Sequence, residues 1–211
     1  MMNTHDLENM MANLEENNLL AALSAIAQSG EHAELALEAL QNGMSKVGDR
    51  FEEGEYFVSD LIYAGAIMTE AMEILKPLIS SETGGDSGRL ILCTVKGDLH
   101  DIGKNIVKTM MEAAGFDVVD LGIDVSPERI VRTAKDQDIG IIALSGVLTL
   151  AINSMKDVVD AFREAGFRDR VKILIGGNPV SEESCMSIGA DAWAHSPQKG
   201  VNICKAWVAE C

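Results

Sequence analysis

Two hydrophobic rhythms divide the chain. From about Thr4 to Pro77, apolar residues return every three or four positions, the spacing of one helix face. Leu19, Leu20, Leu23 and Ile26 form a stripe that Asn17 or Asn18 would cap and Gly30 would stop. Leu37, Leu40, Met44, Val47 and Phe51 form a longer stripe, broken at Gly54. Leu61, Ile62, Gly65, Met68, Met72 and Leu75 make the expected inward face of a helix from about Ser59 to Pro77. With a short first helix capped by Thr4, residues 1–80 predict a four-helix bundle. The polar, glycine-rich stretch from Ser80 to Gly88 then reads as a linker, placed at 81–88.

Beyond the linker the rhythm changes to short apolar runs alternating with helical patterns. The runs are about Leu90–Val95, Asp117–Asp120, Ile139–Leu144, Val171–Ile175 and Ala190–Ala194. Helices open near Ile102, Ser126, Ile152, Ser181 and Pro197, with Ser126-Pro127 as a cap and first-turn proline. Glu112–Phe116 and Glu164–Phe167 read as helix ends with glycine stops. The alternation predicts an α/β domain over 89–211: a five-stranded, doubly wound parallel sheet, flavodoxin-like or Rossmann-like, with right-handed crossovers.

Composition narrows the function classes. The 211 residues are 47% hydrophobic, enough for a real core, and carry a net charge of −16. That charge disfavours nucleic acid and anionic membranes and suits docking on other proteins. No apolar run reaches membrane-spanning length, and the start lacks the regions of a signal peptide, so a cytoplasmic protein is expected. Cys93, Cys185, Cys204 and Cys211 form no C-x-x-C pair and read as reduced thiols, Cys93 in the core.

The chemistry concentrates in Gly97-Asp98-Leu99-His100-Asp101-Ile102-Gly103-Lys104-Asn105, the loop between the first strand and its helix. In open α/β sheets ligands sit at such turns. His100 can present one ring nitrogen to a metal while Asp98 accepts a bond from the other. The plainer readings are a helix cap at Asp98 and an exposed loop histidine. A phosphate loop is rejected: five residues separate Gly97 from Gly103, and Asn105 stands where the motif needs a hydroxyl. Two further sheet-edge loops, Leu144–Thr149 and Ile175–Pro179, carry small residues that let backbone approach a ligand, or simply make tight turns.

Asp98-x-His100-x-x-Gly103 resembles the signature of cobalamin-binding domains that hold the cofactor base-off, His-on. The run from Thr94 to Val107 looks like the cobalamin module of methionine synthase and the corrinoid proteins of methyltransferase systems. The resemblance implies that His100 replaces the dimethylbenzimidazole base as axial cobalt ligand, tuned by Asp98. It implies cofactor contacts from Gly97, Asp98, Leu99, Asp101, Ile102, Gly103 and Val147, and tail contacts from Ser145, Thr149, Gly176 and Gly177. Val47 to Val58 looks like the family's helical cap, putting Phe51, Phe57, Val58 and Leu61 at cap-contact positions over the upper corrin face. One departure is Ala151, which stands where methionine synthase has the serine closing a proton relay. Thr149, Ser154 and water are the alternatives for its terminus.

The implied function is a methyl carrier with cobalamin as cofactor, alternating between methylcobalamin and the Co(I) corrinoid. Its implied partners are a substrate-specific methyltransferase, an acceptor methyltransferase serving tetrahydrofolate or a thiol, and a reductive activator. It would be a corrinoid subunit rather than a complete enzyme. Similar carriers serve methanol, methylamines, glycine betaine and methoxylated aromatics. The rival readings are a mutase cobalamin subunit, an adenosylcobalamin sensor and a cofactor-free flavodoxin-like interaction protein.

Overall fold

The computed structural model describes residues 4–29, 32–78 and 88–210. The chain divides into two compact units, one of Met1–Asp86 with Ala113–Gly115, the other of Ser87–Glu112 and Phe116–Cys211. The Gly30 stop and the linker from Ser80 to Ser87 lie outside the described residues.

The first unit has four helices: α1 (Thr4–Ala12), α2 (Glu16–Ser29), α3 (Ala33–Glu52) and α4 (Val58–Leu75). Leu19, Leu23, Leu40, Met44, Val47, Met68 and Leu75 are buried, as the periodicity requires. Ile62 is not: it is exposed, and Leu61, Ala64, Ile67, Met68 and Ala71 form the buried face of α4. Successive helical residues diverge by about 100°, so Leu61 and Ile62 cannot both face one core. Small residues at 64 and 71 carried part of the stripe and hid its direction. The Asn17 and Asn18 caps also shift: α2 opens at Glu16, and Asn18 Nδ2 donates to Glu15 at 2.9 Å.

Two contacts shape this unit. A Cβ on Gly43 of α3 would lie 2.6 Å from Met11 Cβ and 2.7 Å from the Glu8 carbonyl oxygen, so only glycine permits the α1–α3 approach. At the other end of α3, Arg50 Nη1 donates to the Ala12 carbonyl (2.5 Å) and to the Tyr56 hydroxyl (2.8 Å). Tyr56 in turn donates to Ala12 at 2.8 Å. This ties the turn after α3 to the end of α1.

The second unit alternates strand and helix: β1 (Arg89–Val95), α5 (Asp101–Ala113), β2 (Asp117–Val125), α6 (Pro127–Asp136), β3 (Ile141–Ser145), α7 (Ala151–Glu164), β4 (Lys172–Gly176), α8 (Glu182–Ile188), β5 (Ala192–Ala194) and α9 (Pro197–Ala209). All strands are parallel, in the order β2-β1-β3-β4-β5. The order reverses between β1 and β3, so the loops after these strands diverge into a crevice at their carboxyl ends. Ile91, Cys93, Ile142, Leu144, Ile173 and Ile175 pack one face of the sheet against Ile130, Met155, Val158 and Phe162. Gly115 and Gly166 take left-handed conformations (φ 93° and 62°), stopping α5 and α7 as their sequences require.

One strand exceeds its expected length. β2 continues to Val125 because register shifts against β1, at Leu92/Cys93 and Cys93/Val95, absorb its irregular backbone. Gly122 and Asp124 within it have φ of 88° and 52°.

Gly43→Ala tests the α1–α3 contact. Alanine gains about 1 kcal/mol in helix propensity, but overpacking against backbone costs about 1–3 kcal/mol. Net destabilisation is expected, read as a lower urea midpoint of the helical transition; a raised midpoint would mean the helices separate freely.

Candidate functional site

The loop after β1 is fixed by its neighbours on β2. Thr94 Oγ1 donates to the Asp98 carbonyl (2.5 Å) and accepts from Asp124 N (2.9 Å). Asp124 Oδ1 accepts from Gly97 N at 2.7 Å, and Gly97 turns with φ 83°. The backbone that carries Asp98 to His100 is thus bonded on both sides before any ligand arrives.

Asp98 is 1% exposed and His100 is 52% exposed. Asp98 Oδ1 accepts from His100 N and pairs with His100 Nδ1, both at 3.0 Å. Asp98 Oδ2 accepts from Val147 N (2.7 Å) and Leu148 N (3.1 Å), in the loop after β3. Burial acts to raise the Asp98 carboxyl, but the amides of His100, Val147 and Leu148 and the His100 ring outweigh it. The group is held below the ordinary carboxylate range. A carboxylate here makes Nδ1 the protonated nitrogen and leaves Nε2 with its lone pair, the state of a metal-ligating imidazole.

The Asp98 carboxylate meets no side-chain hydroxyl among the described residues; backbone amides take that position. Ala151 is buried at the start of α7, while Thr149 is exposed. Lys104 is 3% exposed, with its ammonium 2.6 Å from Asp120, so it is no phosphate lysine. Burial acts to raise Asp120, but Lys104 and the Gly122 amide keep it low.

A cavity of about 150 Å³ opens at the carboxyl ends of β1, β3, β4 and β5. Leu92, Ala143 and Leu174 form strand-side walls, and Gly103, Ser145, Val147, Gly176 and Gly177 also line it. Thr149 is not among its lining residues. Ala194, His195, Ser196, Pro197 and Gly200 also line it, and the sequence reading missed them. The available signal was the rule that every strand end facing the switch point contributes to the site. A Cβ on Gly103 would meet nothing within 4 Å, so its absence there leaves ligand space. Gly177 differs: with φ 123°, its Cβ would lie 2.0 Å from the Gly146 carbonyl oxygen.

Around this site Leu99, Ile102, Val147, Leu148 and Leu150 are exposed apolar residues. In the helical unit Phe57 (68%) and Val58 are exposed, Phe51 is half-buried, and Leu61 lies in that unit's own core. Asp101, at the first position of α5, is exposed.

The Asp98 carboxyl is lower in the folded than in the unfolded chain. It therefore stabilises the fold throughout neutral pH, and that contribution fades as pH falls below about 4. Asp98→Asn should lose about 1–3 kcal/mol at pH 7 through mismatched buried donors. It should also flatten the acid limb of stability, measured by denaturant unfolding of the ligand-free protein across pH. An unchanged acid limb would show that Asp98 is not the group titrating there.

Models of the B12 binding domain match residues 88–200 and, as a second type, residues 4–76. Dimethylamine corrinoid protein 2 of Methanosarcina acetivorans is 34% identical over 93% of this chain and 91% of its own length. A corrinoid protein of Desulfitobacterium hafniense is 34% identical over 89% of each. A crystal structure of a cobalamin-binding protein from Desulfitobacterium hafniense is 43% identical, covers 98% of this chain and 99% of that one, and has a TM-score of 0.87. The methanol:cobalamin methyltransferase complex of Methanosarcina barkeri is 25% identical over 97% of this chain and 79% of that one, with a TM-score of 0.80. The residues fit such a cofactor: an imidazole held through Nδ1, a mostly apolar slot, and a glycine at 103 where a side chain would enter it. No helix among the described residues is long and apolar enough to cross a membrane. On sequence, fold and site chemistry alike, the chain belongs to the cobalamin-binding corrinoid proteins.

Proposed function

We propose that this protein is a methyl-carrying corrinoid subunit that holds cobalamin base-off with His100 as axial cobalt ligand. It would receive a methyl group from a substrate-specific methyltransferase and yield it to a second methyltransferase that serves tetrahydrofolate or a thiol. The observation that carries this reading is the Asp98–His100 pair: a buried carboxylate takes Nδ1 and leaves Nε2 for a metal. When bound, the corrinoid supplies the chemistry, a cobalt that accepts and releases a methyl group.

The chain's own residues supply orientation, basicity and exclusion of water. Asp98 fixes the tautomer and ring plane of His100, and its negative charge raises the donor strength of Nε2. Gly97, Leu99, Asp101, Ile102 and Gly103 form the surface beside that ligand. Ser145, Thr149, Gly176 and Gly177 are assigned to the displaced nucleotide, and Val147 to a cofactor contact. Phe51, Phe57, Val58 and Leu61 are assigned to the helical cap, with domains at 1–80 and 89–211 joined by 81–88. Exposed Phe57 and Val58 support that assignment, since neither packs fully into the helical unit. The relatives named as dimethylamine corrinoid proteins, and the structure of a methyltransferase complex, support methyltransferase partners. A reductive activator completes the partner set.

Electron paramagnetic resonance of the Co(II) form tests the ligand. With nitrogen-15-labelled protein and unlabelled cobalamin, a protein ligand splits each line into a doublet. Triplets in that sample would mean the cofactor's own base is bound. His100→Gly should keep cobalamin but lose the nitrogen splitting. A second test addresses the cap: Phe57→Ala, at an exposed position, should leave folding intact and speed photolysis of bound methylcobalamin. An unchanged photolysis rate would remove Phe57 from the cap.

A further inference from the structure

His195 stands at the carboxyl end of β5, where it lines the cavity with Ser196 and Ala194. Its ring packs edge-on against Trp193, with centroids 4.8 Å apart, and Lys199 Nζ lies 3.7 Å from the Trp193 centroid. Among the described residues neither ring nitrogen of His195 has a hydrogen-bond partner. His195 is exposed, and its imidazole is braced by an aromatic neighbour, so its ring nitrogens are open to water or to a ligand. The cavity around it is built largely from Leu92, Ala143, Leu174 and glycine.

A nucleotide base displaced from cobalt brings a specific need into such a slot. A benzimidazole or purine that leaves the metal regains a ring-nitrogen lone pair, and an acceptor taken from water without a donor costs free energy. Neutral imidazole always carries one N–H donor. The other side-chain donors on the cavity wall are the hydroxyls of Ser145 and Ser196. Ser196 is held as the cap of α9, its oxygen accepting from Lys199 N at 3.1 Å, and a hydroxyl that accepts can also donate. We infer that His195 donates to the ring nitrogen of the displaced base, so that this chain selects corrinoids by their lower base. It favours azole bases, benzimidazole or purine, over phenolic bases, which lack that nitrogen. This rests on the base-off reading above.

Binding measurements on the full chain separate the two. Dissociation constants are determined for cobalamin, for a cobamide with a phenolic base, and for cobinamide, which lacks the nucleotide. The wild type should bind cobalamin roughly tenfold or more tighter than the phenolic cobamide. His195→Ala should remove that preference while leaving cobinamide binding unchanged, and His195→Gln, which keeps a donor, should retain part of it. A wild type with no preference for cobalamin over cobinamide would overturn the base-off reading and this inference together. Normal discrimination between nucleotides in His195→Ala would overturn only the role of His195. So would an equal loss for cobalamin and the phenolic cobamide, which would mean a contact to ribose or phosphate. Loss of the preference in Ser145→Ala but not in His195→Ala would move the donor to β3.

Discussion

A charge buried at the edge of the sheet governs the arrangement of this site. Asp98 is removed from water, and a carboxylate so placed must be met by donors or lose its charge. Two come from its own loop, the amide and ring of His100, and two from the amides of Val147 and Leu148 across the switch point. Satisfying the charge therefore holds the loops after β1 and β3 together and sets the histidine in one tautomer. Thr94 and Asp124 complete the frame from below, through backbone bonds that involve no cofactor atom.

Most of this architecture is legible in the sequence because local and global signals agree. The strand cores at Leu90–Val95 and Ile141–Leu144 are buried on both faces, as a sheet covered by helices demands. Gly115 and Gly166 end helices where expected, and Pro127 and Pro197 open them. The failures have physical causes. β2 runs past Asp120 because bulging register shifts accommodate Gly122 and Asp124, which read locally as turn residues. Ile62 looks like a core residue until the alanines of α4 reveal where the buried stripe lies.

The site divides in the same way. His100 and Asp98 are legible because a histidine and its carboxylate acceptor sit two residues apart on one loop. His195 is not, because β5 has only three residues and its part in the cavity arises from parallel pairing with β4, not from any local pattern. Lys104, which with Gly103 resembles part of a phosphate loop, is buried against Asp120, and the pair fastens α5 to β2. For His195 and Lys104 the surroundings are set by elements distant in sequence.

The contact between Gly177 and Gly146 has a consequence for how the molecule tolerates change. A methyl group at 177 would press on the Gly146 carbonyl, and one at 146 would press on Ala151 and Met155. Gly146 directly precedes the two amides that hold Asp98 Oδ2. A steric error on the β4 side therefore propagates along one peptide into the carboxylate that orients His100. The wall of the slot and His100 are parts of a single lever joined through the Asp98 carboxylate, so their sequences cannot drift independently.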